Sequence, residues 1–203
     1  MRSVHLIFLM QYADNAVMKI NAAMKILKPL QKLSLSPWYW LGYALGGISL
    51  LCVALIYQYV FEELPCVVCI QIRLWISLLV MVSLAGFFLR KKLWANQAMQ
   101  LGIVLISAGL IERSYLLLGT EKGFVFADCG FNTGLPSWFA IEQWLPWMYQ
   151  VETSCGYTPE LLLGVTMAEM LMLISVGLAV WSVSVIGASL KKIIRENRVD
   201  WTQ

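Results

Sequence analysis

Residues 64–92 read LPCVVCIQIRLWISLLVMVSLAGFFLRKK. A C-x-x-C at Cys66 and Cys69 comes first, then an apolar run from about Ile70 to Leu89, then the basic triplet Arg90-Lys91-Lys92. An α-helix needs about 20 apolar residues to cross the hydrocarbon core of a bilayer, and this run has that length. The triplet stops it, because charge is costly in lipid. The stretch therefore reads as one membrane span with a cysteine pair at its opening end.

Three further runs have the same character: Trp40 to Val60, about Ala98 to Leu118, and about Leu161 to Ile186. Composition agrees. Of 203 residues, 60% are hydrophobic and 13% charged, against about 25% charged in soluble domains, and the mean hydropathy is +0.71. Too few polar side chains exist to cover a water-soluble globule, and the high apolar content with a net charge of only +3 excludes disorder. Backbone polar groups in lipid must be satisfied within the segment, which favours helices, and the alternating strands of a barrel are not seen. The expected fold is an all-α membrane protein, a four-helix transmembrane bundle with a long second outer loop.

Charge gives the expected orientation. Arg2, Lys19, Lys25, Lys28 and Lys32 lie before the first span, Arg90, Lys91 and Lys92 between the second and third, and Lys191, Lys192, Arg195 and Arg198 after the fourth. The other two loops carry Glu62, Glu63, Glu121, Asp128, Glu142, Glu152 and Glu160 against Lys122 alone. By the positive-inside rule both termini are cytoplasmic and the loops at about 61–69 and 119–160 are outside. Residues 1–37 form an N-terminal extension. His5 to Met10 is a short apolar core with no small-residue cleavage site behind it, so a surface-lying amphipathic helix is expected rather than a signal peptide. Translation starting at Met18 or Met24 is an alternative, and residues 191–203 form a basic cytoplasmic tail.

Four of the five cysteines, Cys66, Cys69, Cys129 and Cys155, fall in the expected outer loops, where disulfides persist. Cys52 sits mid-span and is expected to be a buried small hydrophobe. Cys129 and Cys155 alone would suit a structural disulfide, worth about 3 kcal/mol in the chain-entropy model. A C-x-x-C alone is either a redox pair or half a metal site. Its setting leans to redox, because a helix N-terminus favours thiolate and Arg73 follows Cys69 by four residues, on the same helix face. Cys69 is followed by Ile70 rather than histidine, so c-type haem attachment is not suggested, and the only histidine is His5. No metal is expected; an all-cysteine zinc site is the alternative, disfavoured by the wide spacing of Cys129 and Cys155.

Two cysteine pairs on one side make an exchange chain. An external thiol reduces the loop pair, and the loop pair passes electrons to the C-x-x-C through mixed disulfides. With no flavin, haem or dinucleotide motif to take them, a lipid-soluble quinone is the acceptor that fits.

Pro65-Cys66-Val67-Val68-Cys69-Ile70-Gln71-Ile72-Arg73 resembles the P-C-x-x-C-I-x-x-R signature of the bacterial DsbB family, membrane quinone reductases that reoxidise DsbA. Cys129, Leu135-Pro136-Ser137-Trp138-Phe139, Gln143-Trp144-Leu145-Pro146 and Cys155 resemble that family's second outer loop. The likeness covers about residues 38–190. It implies disulfides Cys66–Cys69 and Cys129–Cys155, with Cys129 attacked by reduced DsbA, Cys155 its partner, Cys66 exchanging with the loop pair and Cys69 nearest the quinone. Arg73 would stabilise the thiolate and the negative charge developing on the quinone. The implied cofactor is ubiquinone or menaquinone. The implied partners are a periplasmic DsbA-like oxidoreductase and the quinone pool of the inner membrane; no nucleic acid is expected. Where some relatives carry an acid before the arginine, this chain has Ile72, and it lacks a histidine near the outer end of the third span. Vitamin K epoxide reductase-like proteins use similar parts, but their C-x-x-C follows the loop pair, whereas here it precedes it.

Glu112 and Arg113 are expected in the last two turns of the third span, as a solvated pair or as part of the quinone pocket. Glu169 is expected about eight residues inside the fourth span, as a hydrogen-bond donor or proton carrier. Trp138, Trp144 and Trp147 suit an interfacial belt, or else hold the DsbA-like partner or shape the quinone site, and residues 137–150 suit a short helix lying on the bilayer.

Overall fold

The computed structural model describes residues 33–125, 140–153, 160–162 and 164–200. The long helices are α1 (Pro37–Val60), α2 (Val67–Leu89), α3 (Leu93–Glu121) and α6 (Met167–Asp200). Between α3 and α6 lie two single turns, α4 (Ile141–Trp144) and α5 (Pro146–Tyr149), and the strands β1 (Glu160–Leu162) and β2 (Val165–Thr166). Each long helix is apolar enough to cross a membrane, the last over Met167–Ser189. The chain is thus an all-α integral membrane protein with four spans. Residues 1–32 of the N-terminal extension, Cys129, Cys155 and Trp138 lie outside the described residues.

Local chemistry sets the helix ends. Pro37 opens α1, where its fixed φ suits the first turn and its missing N–H costs nothing. Glu62, at φ 56°, turns the chain after α1, and the Glu63 N–H returns to the Tyr57 carbonyl. Two boundaries differ from the expected ones. Helix α3 runs on to Glu121, so Glu112 and Arg113 sit more than two turns from its end. The fourth span does not start at Leu161: residues 160–162 and 165–166 pair as an antiparallel hairpin turning at Gly164, whose φ is +76°. Helix α6 then opens with a reciprocal cap. The Glu169 N–H donates to Thr166 Oγ1 at 3.3 Å, and the Thr166 N–H donates to Glu169 Oε2 at 3.2 Å. Hydropathy continues smoothly through LLLGVTM, so only the glycine and the T-x-x-E capping box mark the true start.

Packing runs in chain order: α1 on α2, α2 on α3, α3 on α6. Gly86 receives the Trp40 ring, and Gly109 the Trp75 ring, at distances no Cβ would permit. Small residues of this kind let helices approach closely where lipid supplies no hydrophobic drive. The Ser114 and Ser175 hydroxyls meet at 3.1 Å and join α3 to α6. Leu45, Ile48, Met81, Leu105, Leu173 and Val180 are exposed on the outer surface, as a bilayer solvent allows. Cys52 joins them: it is exposed on α1, not buried as expected, because it lies off the face that meets α2. Helices α1 and α6 are separated by a cleft, and the candidate site opens into it.

Candidate active site

The C-x-x-C forms the cap of α2. Cys66 has extended backbone (φ −85°, ψ 168°) and its Sγ accepts the Cys69 N–H at 3.3 Å. Folding the motif as cap plus first turn brings the two sulfurs to 2.7 Å. Cys66 is buried and Cys69 half-buried. Only Cys69 lines the cleft, in a cavity of about 260 Å³ shared with Arg73. Leu50, Val53 and Ala54 of α1 and Met170, Leu171 and Ile174 of α6 supply apolar walls.

Arg73 is 6% exposed. Its Nη1 donates to Gln58 Oε1 at 2.6 Å and to the Met148 carbonyl at 3.0 Å, and Nη2 donates to the Ala54 carbonyl at 3.2 Å. All three acceptors are neutral. Among the described residues, no carboxylate lies within ion-pairing distance of this guanidinium. The cation is held by neutral dipoles rather than by an ion pair, so its field reaches an anion in the cavity.

Residues 146–153 are fastened over this site. The Glu152 and Thr153 N–H groups donate to the Pro65 carbonyl at 3.0 and 3.3 Å, and Thr153 forms a parallel bridge with Cys66. Tyr149 Oη and Ser77 Oγ meet at 2.6 Å, and Tyr59 Oη donates to the Trp147 carbonyl at 2.6 Å. Over residues 140–150 the single expected short helix is two turns, broken at Leu145-Pro146 because proline removes a ladder N–H. Trp144 and Trp147 expose their rings.

The structure therefore brings Cys66, Cys69 and Arg73 together, as their spacing suggests. Other ionisable groups stand apart. Arg113 Nη1 donates to Gln71 Oε1 at 3.1 Å, and its Nη2 is 3.7 Å from Glu112 Oε1. Glu169 is not deep in the bundle: it lies in the first turn of α6, with Oε1 2.9 Å from Lys122 Nζ. That hydrogen bond raises the Lys122 pKa above its ordinary value. Sequence reasoning missed Gln58, Tyr59, Ser77 and Tyr149. Gln58 had a signal, an amide in an otherwise apolar span; the others had none.

Comparison with known proteins finds relatives named for disulfide bond formation. "Disulfide bond formation protein B 2" of Pseudomonas aeruginosa is 32% identical over 145 residues, covering 70% of this chain and 83% of the relative. The Shewanella amazonensis protein of the same family name is 33% identical over 148 residues, 70% and 85% of the two chains. That of Vibrio parahaemolyticus is 26% identical over 182 residues, 87% and 99%. The family model described as "Disulfide bond formation protein DsbB" matches residues 36–185, from just before α1 to well into α6, and the chain belongs to the DsbB family.

Proposed function

We propose that this protein is a protein-dithiol:quinone oxidoreductase that reoxidises a periplasmic DsbA-like thiol oxidase and passes the electrons to ubiquinone or menaquinone in the inner membrane. The observation that carries the reading is the cleft wall itself. Cys69 and Arg73 face one cavity between α1 and α6, inside an apolar bundle and next to Cys66. A planar, carbonyl-bearing ring with a hydrocarbon tail fits walls that are mostly apolar and carry, with Cys69 and Arg73, the polar side chains of Tyr57, Glu63 and Thr153.

Bound quinone supplies a two-electron, two-proton acceptor. The chain's own residues do the rest. A thiolate of the reduced partner attacks Cys129; the mixed disulfide resolves to a partner disulfide and the dithiol Cys129/Cys155. A loop thiolate then attacks the Cys66–Cys69 disulfide at Cys66, and Cys69 leaves as thiolate. Resolution of the second mixed disulfide restores Cys129–Cys155 and leaves Cys66 and Cys69 reduced, two electrons nearer the bilayer. Leaving-group thiols of low pKa depart fastest, and both the N-terminus of α2 and the Arg73 charge favour thiolate at Cys69. Support for exchange at Cys66 comes from the Thr153 bridge. Cys155 is two residues further along the sequence, and two extended residues reach about 7 Å.

Charge asymmetry supports an orientation with both termini cytoplasmic and the cysteine end periplasmic. The test is turnover by purified protein with a reduced DsbA-like partner and a short-chain ubiquinone or menaquinone. Cys66→Ser, Cys69→Ser, Cys129→Ser and Cys155→Ser each abolish catalysis. Full activity in Cys69→Ser would remove that residue as the quinone-facing thiol. Bound zinc at the four cysteines would replace the redox reading altogether.

A further inference from the structure

Arg73 does not hold itself. Its stem leaves α2, while its guanidinium is fixed across the helix pair by α1 and by the docked segment 146–153. The Ala54 carbonyl is an acceptor that any residue at that position would offer. The Met148 carbonyl belongs to a segment outside the bundle. Among the described residues, Gln58 is the one side chain that binds the guanidinium, at 2.6 Å, the shortest of the three bonds, and it is itself buried. Ala54 and Gln58 are four residues apart and so share one face of α1. They grip Nη2 and Nη1 respectively, which sets the plane of the fork.

We infer that Gln58 is the positioning residue of the redox site: it fixes the Arg73 guanidinium beside Cys69 and, being neutral, leaves the charge free to act on sulfur and acceptor. A glutamate here would hold the same geometry but offset the charge. A methionine would keep the volume but release the fork. The inference rests on the proposed function for its quinone arm. Its Cys69 arm stands without it.

The experiment compares wild type, Gln58→Met and Gln58→Glu in the full-length reduced protein. The first readout is the pH profile of Cys69 alkylation, resolved by peptide mass. The second is the apparent KM for a short-chain ubiquinone at saturating partner, set against the partner's KM at saturating quinone. Hydrogen bonds to charged groups are strong enough that losing one changes an equilibrium about tenfold or more. Gln58→Met releases the fork and Gln58→Glu offsets its charge, so both variants should move the Cys69 midpoint upward by about one pH unit. Both should also raise the quinone KM about tenfold and leave the partner's KM within about twofold. A role confined to packing would spare the Gln58→Glu profile, since that side chain keeps shape and hydrogen bond. Unchanged Cys69 profiles in both variants overturn the inference. Loss of quinone turnover in the wild type with shifted profiles in the variants refutes the proposed acceptor and upholds the positioning role.

Discussion

Replacing Arg73 with methionine keeps the length of the stem and removes the cation. Gln58 Oε1 and the Met148 carbonyl lose their donor; the Ala54 carbonyl keeps its place in the α1 ladder. Each bond to a charged group is worth about 1.5–3 kcal/mol. Against that loss stands relief from burying a charge that has no ion-pair partner among the described residues, which costs several kcal/mol. The two largely cancel, so stability should change by less than about 2 kcal/mol. Function has no such compensation. Removing one preorganised donor from developing negative charge typically costs about 2.7–4 kcal/mol, or a factor of about 10²–10³ in rate. Quinone kcat/KM should fall by that factor in Arg73→Met. Arg73→Lys should lie between, because lysine restores a point charge but not the fork that reaches Gln58 and Ala54 together. The assay is quinone reduction at saturating partner, monitored by ultraviolet absorbance. A single-turnover exchange with partner and no quinone is run beside it and should keep its first phase, since attack at Cys129 uses neither Arg73 nor Cys69. A folded Arg73→Met protein with quinone kcat/KM within twofold of wild type would refute the electrostatic reasoning.

The same geometry sets other outcomes. Cys52→Ser should leave turnover within about twofold of wild type, because Cys52 is on the outer surface of α1; a large loss would give it an unassigned role. Gly86→Ala drives a methyl into the buried Trp40 ring, so detergent-denaturation midpoints should report a loss of about 1–3 kcal/mol. Tyr149→Phe removes the Ser77 contact and should speed amide exchange across 146–153 more than elsewhere in the protein. Glu169→Gln removes the group that raises the Lys122 pKa. More of the lysine is then neutral at a given alkaline pH, and the midpoint of its acylation profile moves down. An unmoved midpoint would show that the ion pair does not form in solution.

Most of this architecture is written in hydropathy. Runs of bilayer length at Trp40, Ile70 and Ala98 become helices because lipid leaves the backbone no other way to satisfy its polar groups. Leu161 misleads because hydropathy cannot see conformation. Leu161 to Leu163 is as apolar as the start of α6, and only Gly164 and the Thr166–Glu169 box separate hairpin from helix. The same boundary carries Glu169 from the expected interior to a surface partnership with Lys122. In the site, Cys66, Cys69 and Arg73 are legible because they lie within eight residues, on one cap and the two turns that follow it. The clasp around Arg73 is not, because Gln58, Ala54 and Met148 come from a different helix and a distant loop. No local pattern encodes contacts that only tertiary packing creates. Gln58 is the partial exception: an amide in an apolar span needs a buried partner.

In the proposed reaction two electrons move from an external dithiol through two cysteine pairs to an acceptor beside Arg73. The most direct measurement is stoichiometry: partner disulfide formed and quinol formed, counted together in one anaerobic reaction with purified protein. Wild type should yield one quinol for each partner disulfide, and Cys69→Ser neither product beyond a single turnover. Continued partner oxidation without matching quinol would contradict the proposed reaction.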